Sequence, residues 1–273
     1  AQRPYFFDHI QGFTDQAFAE FYELTGRQYA RVSTYKADDA DYLIIGQGSM
    51  VSSAEVVADY LRETRGLKVG VVNMTMWRPF PGNLLGSILR GKKGVAVLER
   101  LDQPLAVDLP MIREIRATLA KCIENGASGG KNGDLPYADH AVYSKITDAP
   151  PLYSGSFGMG SRDLQPEGLI ATVENMLPEG KRKKLFYLSI DFVRDDPGTP
   201  KQRAHQEDIL EAYPHVRDLA LRGSENPNLM PAGSITARFH SVGGWGAITT
   251  GKNLAMTLFD LLGYHIKANP KYG

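Results

Sequence analysis

Asp41-Tyr-Leu-Ile-Ile-Gly-Gln-Gly-Ser49, running on into Met50-Val-Ser-Ser-Ala-Glu-Val-Val-Ala-Asp-Tyr-Leu61, sets an apolar run, a glycine turn and a helical pattern in direct succession. A short, uninterrupted apolar run is how a strand buried on both faces reads. Ser52 or Ser53 is placed to cap the helix that follows. The same succession repeats downstream. Lys68-Val-Gly-Val-Val72 is followed by a helical stretch that Pro79-Phe-Pro81 opens and that reaches Arg90, and then by Gly94-Val-Ala-Val-Leu-Glu99. Leu152-Tyr-Ser154 precedes a helical pattern over 167–177, and a fifth apolar run covers 185–193. Strands alternating with helices specify an α/β fold with a doubly wound, mostly parallel sheet, its strands near 42–45, 69–72, 95–98, 152–154 and 185–190.

The chain has 273 residues, enough for one good core and part of another. Lysine plus arginine (31) balance aspartate plus glutamate (31), so no global field recruits nucleic acid or an anionic membrane, and any anion site must be local. Cys122 is the single cysteine, which removes an internal disulfide and any all-cysteine metal site and fits a reducing cytoplasm. No apolar run approaches the roughly 18 residues of a membrane span. The start, Ala1-Gln-Arg-Pro-Tyr-Phe-Phe7, lacks both an initiator Met and a signal-peptide pattern, which suggests an internal cut. The six histidines have no metal-type spacing, and no nucleophile turn occurs.

A second strand-turn-helix signal lies near the end. Ala237-Arg-Phe-His-Ser-Val-Gly-Gly-Trp-Gly246 reads as a β-like run meeting a glycine turn, and Ala247 onward carries an apolar helical pattern. Such a turn lets the backbone approach a ligand closely while the helix aims free N–H groups and its positive dipole end at an anion. Tyr264-His-Ile-Lys-Ala-Asn269 resembles the next strand, so residues 233–273 are expected to start a second Rossmann-like α/β domain. The glycine spacing matches neither the dinucleotide nor the Walker pattern. A tight turn that binds nothing is the competing reading.

Other constellations divide between chemistry and structure. Gly46-Gln-Gly48-Ser49 could hold a phosphate or simply turn the chain, and Gly155-Ser-Phe-Gly-Met-Gly160-Ser-Arg162 suits an interface loop. Glu99-Arg100, at the carboxyl end of a strand, is either a functional charge pair or an inter-domain or inter-subunit ion bridge. Residues 124–151 have the glycine and proline content of a surface insertion, and 194–231 that of a connecting arm with a short helix near 206–212. Lys181-Arg-Lys-Lys184 reads as a solvated corner.

Tyr5-Phe-Phe-Asp-His9 with Gln11-Gly-Phe13, the block 41–49, Trp77-Arg-Pro-Phe-Pro81, Val97-Leu-Glu-Arg100 and Ser241-Val-Gly-Gly-Trp-Gly246 follow the order of segments in a known family. Over nearly its whole length the chain resembles pyruvate:ferredoxin (flavodoxin) oxidoreductases and related 2-oxoacid:acceptor oxidoreductases. The resemblance implies four parts: residues 1–33 as the tail of a preceding pyrimidine-binding domain, 34–193 as a transketolase C-terminal-like domain, 194–232 as a linker arm, and 233–273 as an incomplete gamma domain. It further implies a parent enzyme that decarboxylates a 2-oxoacid oxidatively to acyl-coenzyme A. That parent would use thiamine diphosphate with magnesium and [4Fe–4S] clusters, with ferredoxin or flavodoxin as acceptor, and would be a cytoplasmic homo-oligomer. No position here matches a catalytic residue or a cluster ligand, so the chain alone is expected to be inactive. Coenzyme A binding is carried onto Ser241, Gly243, Gly244, Gly246, Thr249, Thr250, Lys252 and Asn253, with Lys271 in addition. The alternative is a Rossmann-like nucleotide-binding or transketolase-type assembly module without catalysis.

Overall fold

In the computed structural model six strands form one sheet in the order β1-β3-β2-β4-β5-β6: β1 (Val32–Tyr35), β2 (Tyr42–Gly46), β3 (Val69–Met74), β4 (Gly94–Glu99), β5 (Leu152–Ser156) and β6 (Leu185–Tyr187). Every pairing is parallel except that of β1 with β3. The structure describes residues 2–129, 135–196, 198–242 and 244–268, which fall into two units, 1–229 and 230–273.

Helices cover both faces of the sheet because the strands alternate between two apolar sets. Tyr42 and Ile44 pack with helices α3 (Met50–Arg65) and α6 (Pro166–Met176), whereas Leu43 and Ile45 pack with α4 (Gly82–Leu89) and α5 (Pro110–Ala127). This is the doubly wound arrangement that the apolar runs specify. The β5–α6–β6 connection moves outward along the sheet as β4–α5–β5 does, but its helix lies on the other face. Its hand is therefore opposite to that of the three crossovers before it, which is rare among parallel connections.

Two buried asparagines fasten the chain after the helices that carry them. Asn125, near the end of α5, donates to the carbonyls of Tyr137 (2.8 Å) and His140 (3.0 Å) and accepts from the Tyr137 N–H (3.0 Å). Asn175, near the end of α6, exchanges two 2.9 Å hydrogen bonds with the backbone of Lys183. The stretch 135–143 is therefore docked rather than loose: Tyr143 is buried and donates its hydroxyl to the Gly86 carbonyl at 2.7 Å. The glycine- and proline-rich reading of 124–151 holds for its composition but not for this docked stretch.

Before the sheet come α1 (Arg3–Phe7) and α2 (Ile10–Thr25). No residue of α2 is buried, and the helix is tied to the start of β1 by Arg31, which bonds Asp15 (2.8 Å) and Gln11 (2.9 Å). After β6 the chain forms α7 (Pro200–Ala212) and α8 (His215–Leu219). The α7 helix starts six residues before the expected 206–212, with Pro200 in its first turn and a Thr199–Gln202 capping box in front. The buried side chain of Gln206 bonds the Arg194 backbone on both sides, 2.7 and 2.8 Å.

Among the described residues the second unit contains one helix, α9 (Ala247–Leu262). Residues 235–242 and 263–268 form no strand, contrary to the β-like reading of 237–242 and 264–269; residue 269 lies outside the described residues. Neither apolar run has a ladder partner among the described residues of this unit, and a strand exists only as part of a ladder. No helix among the described residues is long and apolar enough to cross a membrane.

Candidate functional site

The anion cradle read from the sequence lies at the start of α9. Gly246 is the N-cap residue at φ 77° and Gly244 stands at φ 88°, left-handed conformations that glycine adopts at little cost. The Thr250 N–H closes the first turn on the Gly246 carbonyl at 2.9 Å. The preceding amides of the turn have no partner within the helix. No side chain caps this end and no acidic residue lies in the first turn, so the N-terminus faces solvent with its dipole uncompensated. Thr249, Thr250, Lys252 and Asn253 occupy the first two turns and are exposed, as is Ser241 on the approach. Gly243 and Lys271 lie outside the described residues. The arrangement offers backbone N–H groups, three hydroxyls, one amide and one ammonium to an anion.

A Cβ on Gly46 would run into the Met50 side chain, so the turn is shaped by close packing at the start of α3. The helix begins at Met50 with Ser49 as its N-cap residue, and neither Ser52 nor Ser53 takes that place. The 155–162 segment closes in a single 3-10 turn, Met159–Ser161, with Arg162 paired to Asp191 at 2.8 Å. Half of the basic run is engaged: Lys183 reaches the carbonyls of Asp218 and Ala220, and Lys184 lies 4.1 Å over the Tyr153 ring.

Glu99 answers to neither of its sequence readings. Its carboxylate is buried at the end of β4 and accepts from the backbone N–H groups of Met111 (2.7 Å) and Ile112 (3.3 Å). It therefore caps α5 from a neighbouring strand. Burial pushes the carboxyl above the ordinary glutamate range, against the lowering effect of the two N–H donors. The folded state then holds its proton to higher pH than the unfolded chain does. The contribution of Glu99 to stability is thus greatest below about pH 4.3 and declines as pH rises toward the raised folded value. Glu99→Ala leaves two buried N–H groups without acceptors and is expected to lower stability by about 1–3 kcal/mol in urea denaturation at neutral pH. An unchanged midpoint would show that water replaces the carboxylate.

The iron–sulfur clusters that the resemblance implies for the parent do not fit the single cysteine of this chain. Cys122 is fully buried between α4 and α5, its thiol pushed up by burial, and a lone thiol cannot hold an iron–sulfur cluster. Among the described residues no three His, Cys, Asp or Glu side chains converge as a metal site would require. Two concavities on the first unit are small or open: one of about 20 Å³ beside Glu167 and Arg222, and one of about 370 Å³ along Thr199, Lys201, Gln202 and His205.

Residues 40–141, from the turn before β2 through α5 to the docked segment, match the family model of pyruvate:ferredoxin oxidoreductase core domain II. The chain is 28% identical over 248 residues to a probable pyruvate-flavodoxin oxidoreductase of Escherichia coli strain K12, covering 90% of this chain and 17% of that protein. It is 31% identical over 158 residues to pyruvate synthase subunit PorA of Thermotoga maritima, covering 58% of this chain and 34% of that subunit. Over 86 residues it is 37% identical to PorA of Pyrococcus furiosus, 32% of this chain and 22% of that subunit. The chain thus spans about a third or less of the length of these relatives. It is similar to a pyruvate-flavodoxin oxidoreductase over 90% of its own length, and the core domain II match at 40–141 lies on the sheet of the first unit.

Proposed function

We propose that the chain works as one part of a 2-oxoacid:ferredoxin or flavodoxin oxidoreductase, which converts pyruvate or a related 2-oxoacid to an acyl-coenzyme A. The observation that carries this reading is the core domain II match over residues 40–141, continuous with a likeness to the E. coli protein over 90% of the chain. In such an enzyme thiamine diphosphate supplies the carbanion chemistry and iron–sulfur clusters the electron path. A single cysteine cannot hold a cluster, so the clusters would be held by other domains or subunits, and thiamine diphosphate is placed there in the same proposal. The four-part division of the chain, the homo-oligomeric cytoplasmic enzyme and its ferredoxin or flavodoxin partner belong to the same proposal.

Within it the first unit is a scaffold, and the turn ahead of α9 receives the phosphate-bearing part of coenzyme A. The open helix start, the left-handed Gly244 and Gly246 and the exposed Thr249, Thr250 and Lys252 support this assignment. A charge-assisted hydrogen bond contributes about 1.5–3 kcal/mol, so Lys252→Ala in the assembled enzyme is expected to weaken coenzyme A binding about tenfold or more by calorimetric titration. Gly244→Val is expected to weaken it further, since a β-branched residue at φ 88° is strained and the turn must open to accept it. Wild-type affinity in both variants would make the loop a structural turn only. An assembled enzyme that reduces no viologen dye with any 2-oxoacid would overturn the oxidoreductase reading itself.

A further inference from the structure

After α8 the chain returns to the face of the sheet covered by α3 and α6. Ala220 bridges Tyr187 in parallel, the Leu221 N–H donates to the Tyr187 carbonyl at 3.0 Å, and the Leu221 side chain is buried in the core. Leu229, the last residue of the first unit, packs against the same core. Between these apolar anchors the attachment is polar. Arg222 pairs with Glu167 at 2.9 Å. Asn226 accepts the Glu167 N–H at 3.1 Å, in the first turn of α6. The Ser224 N–H and hydroxyl both go to Glu174, the N–H at 3.0 Å. Glu225 accepts from the Tyr60 hydroxyl at 2.7 Å and from Arg65, and Arg65 also holds Glu174 at 2.7 Å.

One guanidinium on α3 therefore grips a carboxylate of α6 and a carboxylate of the returning segment at once. We propose that residues 222–228 form a salt-sensitive latch on the α3–α6 face, which fixes the point at which the chain leaves the first unit. The charged groups are partly exposed, in the range where each pair alone contributes little and is screened by salt. Their attachment is thus weaker than the burial of Leu221 behind them. Opening the latch together with the half-buried Leu229 frees the eight residues 222–229, which extends the reach of the following chain by about 25 Å. A device of this kind lets the segment after Leu229 alternate between a fixed origin and a tethered one while the sheet stays intact.

Hydrogen exchange on the full chain tests this, with wild type and Arg65→Met compared at about 0.05 M and about 0.5 M salt. Exchange across 222–229, the Ser224 amide above all, is expected to rise about tenfold or more with salt and with Arg65→Met. Amides of β2 to β5 should not change. Tyr60→Phe should give a smaller rise confined to the same segment. Exchange at 222–229 that responds to neither salt nor substitution would make the segment a static strap and overturn the proposal. So would a rise spread through β2 to β5, which would mean that Arg65 supports the domain as a whole. If Arg65→Met does not fold, the salt response of wild type decides in the same way.

Discussion

Ile45→Asp is expected to unfold the first unit outright. Ile45 is fully buried in β2, packed toward α4 and α5, with β3 on one side and β4 on the other. The substitution forfeits the burial of a large aliphatic side chain and introduces a carboxylate with no donor among its apolar neighbours. Burying such a group costs several kcal/mol, against a total stability of about 5–15 kcal/mol for a domain. Circular dichroism should show lost cooperative melting. Val56→Asp, on a part of α3 that is 47% exposed, serves as the control and should melt nearly as wild type. A cooperative transition in Ile45→Asp near the wild-type temperature would contradict the core placement.

The second large effect is expected at Gly126→Ala. This residue lies in the last turn of α5, and an added Cβ would run into the carbonyl of Tyr143. Backbone cannot step aside as a flexible side chain can. The docked stretch must lift, putting at risk the Tyr143 hydrogen bonds to the Cys122 carbonyl (2.9 Å) and the Gly86 carbonyl (2.7 Å). Loss on the order of 3 kcal/mol is expected in chemical denaturation, at the upper end for overpacking. Faster exchange of the Tyr143 amide would localise it. A stability change under about 0.5 kcal/mol would mean that α5 ends elsewhere in solution.

Strands β2, β3, β4 and β5 were legible as sequence because strands in the middle of a parallel sheet are apolar on both faces, and an uninterrupted run such as Leu43-Ile-Ile45 closed by a glycine turn is too short for a buried helix. The sheet's margins were harder to read. Val32-Ser-Thr-Tyr35 is half polar, as an edge strand exposed on one side must be, and β6 stops at Tyr187 although the apolar run continues to Val193. Ser189 takes φ 63°, which breaks the extended conformation within that run. A search for β-branched runs also passes over α5, whose Pro110 start and buried Met111, Ile115, Leu119 and Cys122 keep helical spacing. In the candidate site the helix start and its glycines follow from local sequence alone. The use of Glu99 depended on how a strand end meets a helix start twelve residues away, a distance over which local pattern carries no information.

The narrow margins of the sheet also bear on what the protein does when crowded with its own copies. An open sheet edge is a template onto which another chain can add a strand. Here β1 offers four residues and turns away at Lys36, φ 48°, while β6 offers three and is already bridged by Ala220. Neither edge gives an incoming strand a run long enough to stay paired, since two-stranded pairings are marginal even at greater length. Fibril growth by strand addition is thereby discouraged at both ends of the sheet.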